Sequence, residues 1–166
     1  MPFYGGSFLV AKPALVDPNF RQTVVLLVQH TEEGAFGLVV NRPVPVKDLP
    51  YPIFAGGPCE AQGLFLLHGH ADWANGPEKQ ATEISPGIYL GDSSLTDVMK
   101  NLPKEKLSRV RMFAGYAGWG PGQLEGELAE GVWGLTAADG KTLFETPPKE
   151  LWTYLRPPAI PQPSLN

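Results

Sequence analysis

The segment Thr23-Val24-Val25-Leu26-Leu27-Val28 runs through six residues with no charge and no interruption of its apolar or β-branched character. A strand with one wet face shows a polar residue at every second position, because successive side chains point to opposite faces. This segment does not alternate, so as a strand it needs cover on both faces. Any fold for the chain must place residues 23–30 inside a sheet, with packed material above and below. The neighbouring segments 7–11 and 36–41 are β-branched or aromatic and are bounded by turn residues, which makes them strands as well. Thr31-Glu32-Glu33-Gly34 has the composition of a β-hairpin turn, and Asp17-Pro18-Asn19 forms another turn. Arg42-Pro43-Val44-Pro45 is expected to end the third strand, because proline cannot donate to a ladder.

Further along, the elements become shorter, in keeping with 19 glycines and 18 prolines among 166 residues. Residues 53–55, 64–68, 82–84 and 88–90 are short strand candidates, separated by breaks such as Gly56-Gly57-Pro58 and Pro86-Gly87. The period then changes. Leu95, Val98, Met99 and Leu102 fall at i, i+3, i+4 and i+7, and Ser94 with Asp97 approximates a capping box, so a helix is expected there. Residues 109–116 return to strand character, and residues 121–129 read as a helix with Pro121 near its first turn and Gly131 at its end. A last hairpin is expected from residues 132–136 and 142–144 around Asp139-Gly140, followed by a short helix at 149–155. Strands with few, short helices make the class α+β, or mixed α/β. The length suits a single domain over residues 1–156, with no repeat and no dividing linker. Residues 157–166 hold four prolines and no apolar period and are expected to be a disordered tail.

Composition excludes several function classes. With 43% apolar and 18% charged residues the chain is not of the disordered type. A net charge of −4 repels phosphate backbones and anionic membranes unless a basic face is concentrated locally. The densest basic cluster, Lys104, Lys106, Arg109 and Arg111, is interleaved with Glu105 and apolar positions, as in a solvated strand edge. Neither nucleic acid nor membrane is an expected partner. One cysteine, Cys59, allows no internal disulfide and no cysteine metal cage, which suits a reducing, cytoplasmic location. The first residues lack a basic flank with an apolar core, and no 18-residue apolar stretch occurs, so neither export nor membrane spanning is expected.

Several motifs occur in a fixed order. They are Gly6-Ser7-Phe8-Leu9-Val10-Ala11, Asp17-Pro18 with Phe20, Val24-Val25-Leu26-Leu27 with His30, Gly37-Leu38-Val39-Val40-Asn41-Arg42-Pro43, Gly56-Gly57-Pro58, Leu67-His68, and the run Gly115-Tyr116-Ala117-Gly118-Trp119-Gly120-Pro121-Gly122-Gln123-Leu124-Glu125. In that order they resemble the AlgH/YqgE family of bacterial proteins over roughly residues 6 to 155. The resemblance implies a barrel-like, largely antiparallel sheet surrounded by a few short helices. It also brings the family's label of transcriptional regulator, without a mechanism. Cys59 stands where the family more often has an aliphatic residue, and residues 70–75 also depart from its pattern.

Two constellations could carry chemistry. His68-Gly69-His70-Ala71-Asp72 puts three metal-ligand types at a strand end, as in half of a metal-dependent hydrolase site, but no histidine follows His70 and only His30 stands elsewhere to complete it. Residues 115–125 place a glycine-rich segment before a helix, in the order of a phosphate cradle. The spacing Gly118-x-Gly120-x-Gly122 is neither the dinucleotide nor the Walker fingerprint, and Glu125, Glu127 and Glu130 follow where an anion wants positive potential. Tyr116 and Trp119 therefore either pack beside the glycines or line a groove. Cys59 activated by His68, and a Ser7 hydrolase without its elbow motif, are weaker options. Arg42 is available to pair with Asp17 or with a ligand carboxylate. The leading expectation is a non-catalytic or regulatory binding protein for a small ligand or a protein partner. Its site would gather Asn41, Arg42, Gly57, Tyr116, Trp119 and Gln123, with no cofactor and no metal. A metal-dependent hydrolase at His68, His70 and Asp72 is the alternative. A transcriptional regulator comes third, disfavoured by the acidic charge and by the lack of a helix-turn-helix pattern.

Overall fold

The structure, a computed structural model, describes residues 3–47, 52–75, 82–91 and 103–156. The helix expected between Ser94 and Leu102 and the tail 157–166 lie outside these residues. Ten strands are described: β1 (Ser7–Ala11), β2 (Val24–Thr31), β3 (Gly34–Val39), β4 (Pro43–Val44), β5 (Ile53–Ala55), β6 (Cys59–His68), β7 (Thr82–Ser85), β8 (Ile88–Leu90), β9 (Val110–Trp119) and β10 (Trp133–Ala137). Four short helices accompany them: α1 (Lys104–Leu107), α2 (Gln123–Ala129), α3 (Gly140–Glu145) and α4 (Pro148–Leu155). A 3-10 turn spans Ala71–Asn75. The strands form one curled sheet in the order β10-β1-β2-β3-β9-β6-β8-β7, a half-barrel of antiparallel pairs. β5 is the exception: it runs parallel to β9 and carries β4 on its other edge.

Double burial of β2 organises the packing. Val24 and Leu26 join Phe8, Val10 and Phe113 in one core, which α3 and α4 close with Leu143, Phe144 and Leu151. Val25 and Leu27 face the opposite side with Leu9, Ala11 and Ala117, under Leu124 of α2 and the rings of Trp119 and Trp133. All four β2 side chains are fully buried. Each contributes about 1.5–3 kcal/mol of burial, so a polar substitution at any of the four disturbs a core.

Four sequence expectations are corrected. Residues 142–144 are not the second strand of a hairpin but part of α3, because Asp139 acts as a helix N-cap. Its backbone is extended (φ −153, ψ 158), and its carboxylate accepts from the Thr142 N–H at 2.7 Å and the Thr142 hydroxyl at 3.0 Å. The basic cluster 104–111 is not one solvated strand edge: residues 104–107 form α1, and Arg111 is only 8% exposed because β9 is an interior strand between β3 and β6. Pro43-Val44 does not simply end β3, since it forms β4 beside Phe54 and Ile53 at the sheet margin, where the missing proline donor costs no ladder bond. Finally, the strand expected over residues 109–116 runs on to Trp119, so residues 117–119 are strand rather than loop. Gly115, at φ +80, lies at the register shift where β6 bulges against β9.

Candidate functional site

The aromatic end of β9 is held by one carboxylate. Glu127 on α2 accepts from the Trp119 indole N–H at 3.0 Å and from the Trp133 indole N–H at 2.9 Å, both through Oε1, while Gln123 donates to its other oxygen at 3.2 Å. Gln123 in turn accepts from the Gly120 N–H, closing the turn that starts α2. Phe20 packs against both tryptophans, with ring centres 6.4 and 5.7 Å away. Trp119 is 7% exposed and belongs to the second core. Its edge also reaches a small cavity of about 260 Å3 together with Gln29 and Phe36.

Gly57 and Tyr116 meet at the β6–β9 bulge. Gly57 has φ +151, and a Cβ there would collide with the Tyr116 carbonyl group, so the chain crosses β9 at backbone contact. Gly56 bridges the two sides of the crossing: its N–H donates to Ala114 and its carbonyl accepts from Val39. The Tyr116 ring stands edge-on to Phe36 and Phe65. The loop 56–57 and residues 115–116 are thus brought together.

Asn41 and Arg42 face a different space. The Asn41 carbonyl accepts from the Val24 N–H at 2.9 Å and its amide donates to the Gln22 carbonyl at 2.9 Å, tying the 17–23 loop to the sheet. The Arg42 guanidinium donates to the carbonyls of Asn19, Arg21 and Pro18 at 2.8, 3.0 and 3.2 Å. Asp17 instead accepts from the Asn19 N–H. Both residues line an open pocket of about 680 Å3, together with Arg21, Lys149 and Trp152. Partial burial, and then the neighbouring charge of Arg21, push the Arg42 guanidinium below its ordinary value. Trp152 is fixed there by its indole N–H, which donates to the Ala11 carbonyl at 2.8 Å. Asn41 and Arg42 therefore share one pocket, whereas Gly57, Tyr116, Trp119 and Gln123 lie along β9 and its exit.

Arg21, Lys149 and Trp152 were not singled out in the sequence. The spacing of Lys149 and Trp152, three apart on a short helix, places them on one face, but nothing local to Arg21 marks it, since only the folded loop brings it to α4.

The histidine cluster is packed. The His68 ring is fully buried between Trp73 and Tyr89, at 4.6 and 5.4 Å between centres, and His68 Nδ1 accepts from the His70 N–H at 3.1 Å. His70 stacks on Trp73 at 4.3 Å and its Nε2 donates to the Lys106 carbonyl at 2.8 Å. Asp72 sits exposed in the first turn of the 3-10 segment. Among the described residues no three His, Cys, Asp or Glu side chains stand close enough to hold a metal ion. Cys59 and His68 occupy opposite ends of β6, nine residues apart and roughly 25–30 Å at strand rise.

Comparison with known proteins gives a consistent family and no activity. The model of the AlgH-like family matches residues 8–156. A UPF0301 protein of Streptomyces avermitilis is 40% identical over 162 residues, covering 89% of this chain and 82% of the relative. A UPF0301 protein of Chlorobaculum tepidum is 35% identical over 158 residues, with the same coverage of each chain, 89% and 82%. The solution structure of the AlgH protein from Pseudomonas aeruginosa superposes with a TM-score of 0.66 at 33% identity, over 90% of this chain and 85% of that one. A crystal structure of a Corynebacterium diphtheriae protein reaches a TM-score of 0.73 at 22% identity, over 93% and 86% of the two chains, and speaks for the fold alone. Among the described residues no helix is long and apolar enough to cross a membrane.

Proposed function

We propose, from the premise that the chain belongs to the AlgH-like family, that it is a non-catalytic cytoplasmic binding protein for a small anionic ligand, held in the pocket of Asn41 and Arg42. One observation carries this reading: Arg21, Arg42 and Lys149 line that pocket and no carboxylate does, in a chain whose net charge is −4. Among the described residues none of the three cations has an ion-pair partner, Arg21 repels Arg42, and a bound anion relieves that repulsion. The Arg42 carbonyl contacts fix its guanidinium, so little side-chain entropy is lost on binding. Trp152 adds a rigid aromatic wall. Gly57, Tyr116, Trp119 and Gln123 support the site in this reading by shaping the sheet rather than by touching the ligand. A single pocket of three cations is too small a positive surface to serve as a duplex-DNA footprint.

Calorimetric titration with inorganic pyrophosphate at low ionic strength tests the proposal. Saturable binding is expected, weakened about tenfold or more in the double variant Arg21→Ala/Lys149→Ala, whose changes fall on exposed side chains. Absence of saturable binding, or equal affinity in the double variant, removes the reading.

A further inference from the structure

Arg111, only 8% exposed, lines a second pocket of about 560 Å3 that shares Lys149 with the first. The walls are the rings of Phe54 and Phe144, which lie 5.8 and 5.4 Å from the guanidinium carbon, and prolines 43, 52, 147 and 148 form the rim. A guanidinium has five N–H donors. Nη1 donates to the carbonyls of Ser108 and Val110 at 2.7 and 3.2 Å, and Nη2 donates once, to Phe144 at 3.2 Å. Among the described residues the Nε–H and the second Nη2–H have no acceptor, and no carboxylate pairs with Arg111. Burial without a counter-ion lowers the guanidinium below its ordinary value. A buried cation held by carbonyls and aromatic faces without a carboxylate is costly, and the chain keeps this one in the lining of an open apolar pocket.

We propose that this pocket is a separate site for a small monocarboxylate with an aromatic or short aliphatic body, seated with its carboxylate on the free Nε and Nη2 donors of Arg111. The Nε/Nη2 edge of a guanidinium matches a carboxylate in its fork geometry. The apolar body then lies between Phe54 and Phe144 under the proline rim. The pocket volume falls in the range of small-molecule sites. The occupant is a monoanion rather than a polyanion, because Glu150 offsets Lys149 in the lining and leaves the Arg111 guanidinium as the one net positive charge of an otherwise apolar pocket. This site is independent of the anion pocket at Arg42, with which it shares only Lys149.

The test is an NMR titration of the full chain with phenylacetate and with its neutral isostere phenylacetamide, following the arginine Nε–H resonances and the backbone near Phe54 and Phe144. Phenylacetate should shift the Arg111 Nε–H saturably and bind at least about tenfold more tightly than the amide. Glu150→Gln, an exposed change, should tighten the acid two- to three-fold by removing a like charge. Arg111→Met should abolish the preference for the acid, and Arg21→Ala should leave it unchanged. If Arg111→Met does not fold, the wild-type Nε–H shift and the Glu150→Gln variant decide. Equal affinity for acid and amide, weaker binding in Glu150→Gln, no saturable shift, or shifts confined to residues around Arg21 and Trp152 would overturn the proposal.

Discussion

Glu127 shows how much one side chain can hold in this protein. Two buried indole N–H groups end on a single carboxylate oxygen, and no other partner is offered to either of them among the described residues. Glu127→Ala should therefore cost about 2–4 kcal/mol, read as a lower urea midpoint, whereas Glu127→Gln keeps an oxygen acceptor without its charge and should cost about half as much. Equal losses in the two variants would show that charge, rather than acceptor geometry, is what the indoles need. His30 illustrates the same principle more quietly. Its Nδ1 accepts from the Tyr4 N–H at 3.1 Å, which places the ring proton on Nε2, 3.2 Å from Glu125 on the same helix α2. The contact is close enough for attraction although too poorly aligned to count as a hydrogen bond. The glutamates that argue against a phosphate cradle thus have structural uses: Glu125 faces a buried histidine, and Glu127 gathers two tryptophans.

Among the elements, α3 and β9 carry most of the architecture around the two pockets. Asp139 starts α3 through two hydrogen bonds to Thr142, and the helix then delivers Leu143 and Phe144 to the first core. Asp139→Ala should lower stability by about 1–2 kcal/mol, and Asp139→Asn by clearly less, because asparagine also caps. A denaturant series comparing the two variants checks this, and similar losses would mean that the cap is not what sets the helix. Because Phe144 also walls the Arg111 pocket and its carbonyl accepts from Arg111, the alanine variant should weaken phenylacetate binding as well. β9 acts as the spine, pairing with β3 and β6 on its antiparallel edges and with β5 in parallel. The bulge of β6 lies opposite Gly115, where Gly57 crosses β9 at backbone contact. That crossing requires glycine at both Gly57 in the loop and Gly115 in β9, since a Cβ on either would meet the backbone of the other segment.

At the scale of the whole molecule, the first strand closes on the last, with Ser7 opposite Ala137 and Ala11 opposite Trp133. Both cores include residues from β1 to β3 and from the last third of the chain, so neither half can bury its apolar faces alone. A chain ending at Arg156 keeps every element described here, and its unfolding free energy from urea denaturation should match that of the full chain within about 0.5 kcal/mol, as the proline-rich composition of residues 157–166 suggests. A larger loss would mean that the tail packs on the domain. By itself the sequence determined the strands β1, β2, β3 and β5 of the first half, the double burial of residues 24–27, the mixed fold class, the helix after Pro121 and, through its ordered motifs, the family. These signals are local: they follow from alternation, turn residues and capping spacing within a few positions. The helix α3 was missed because Asp139-Gly140 opens a helix as readily as a hairpin, and only the need to cover the first core selects between them. The pocket at Arg42 was half legible, since Asn41-Arg42 stands out at a strand end while Arg21, Lys149 and Trp152 reach it from segments far apart in sequence. Tertiary structure alone decided that Trp119 turns inward and that Arg111 is buried. An isolated strand gives no sign of which face will be covered, and that choice is made by helices that pack on the sheet once its strands have paired.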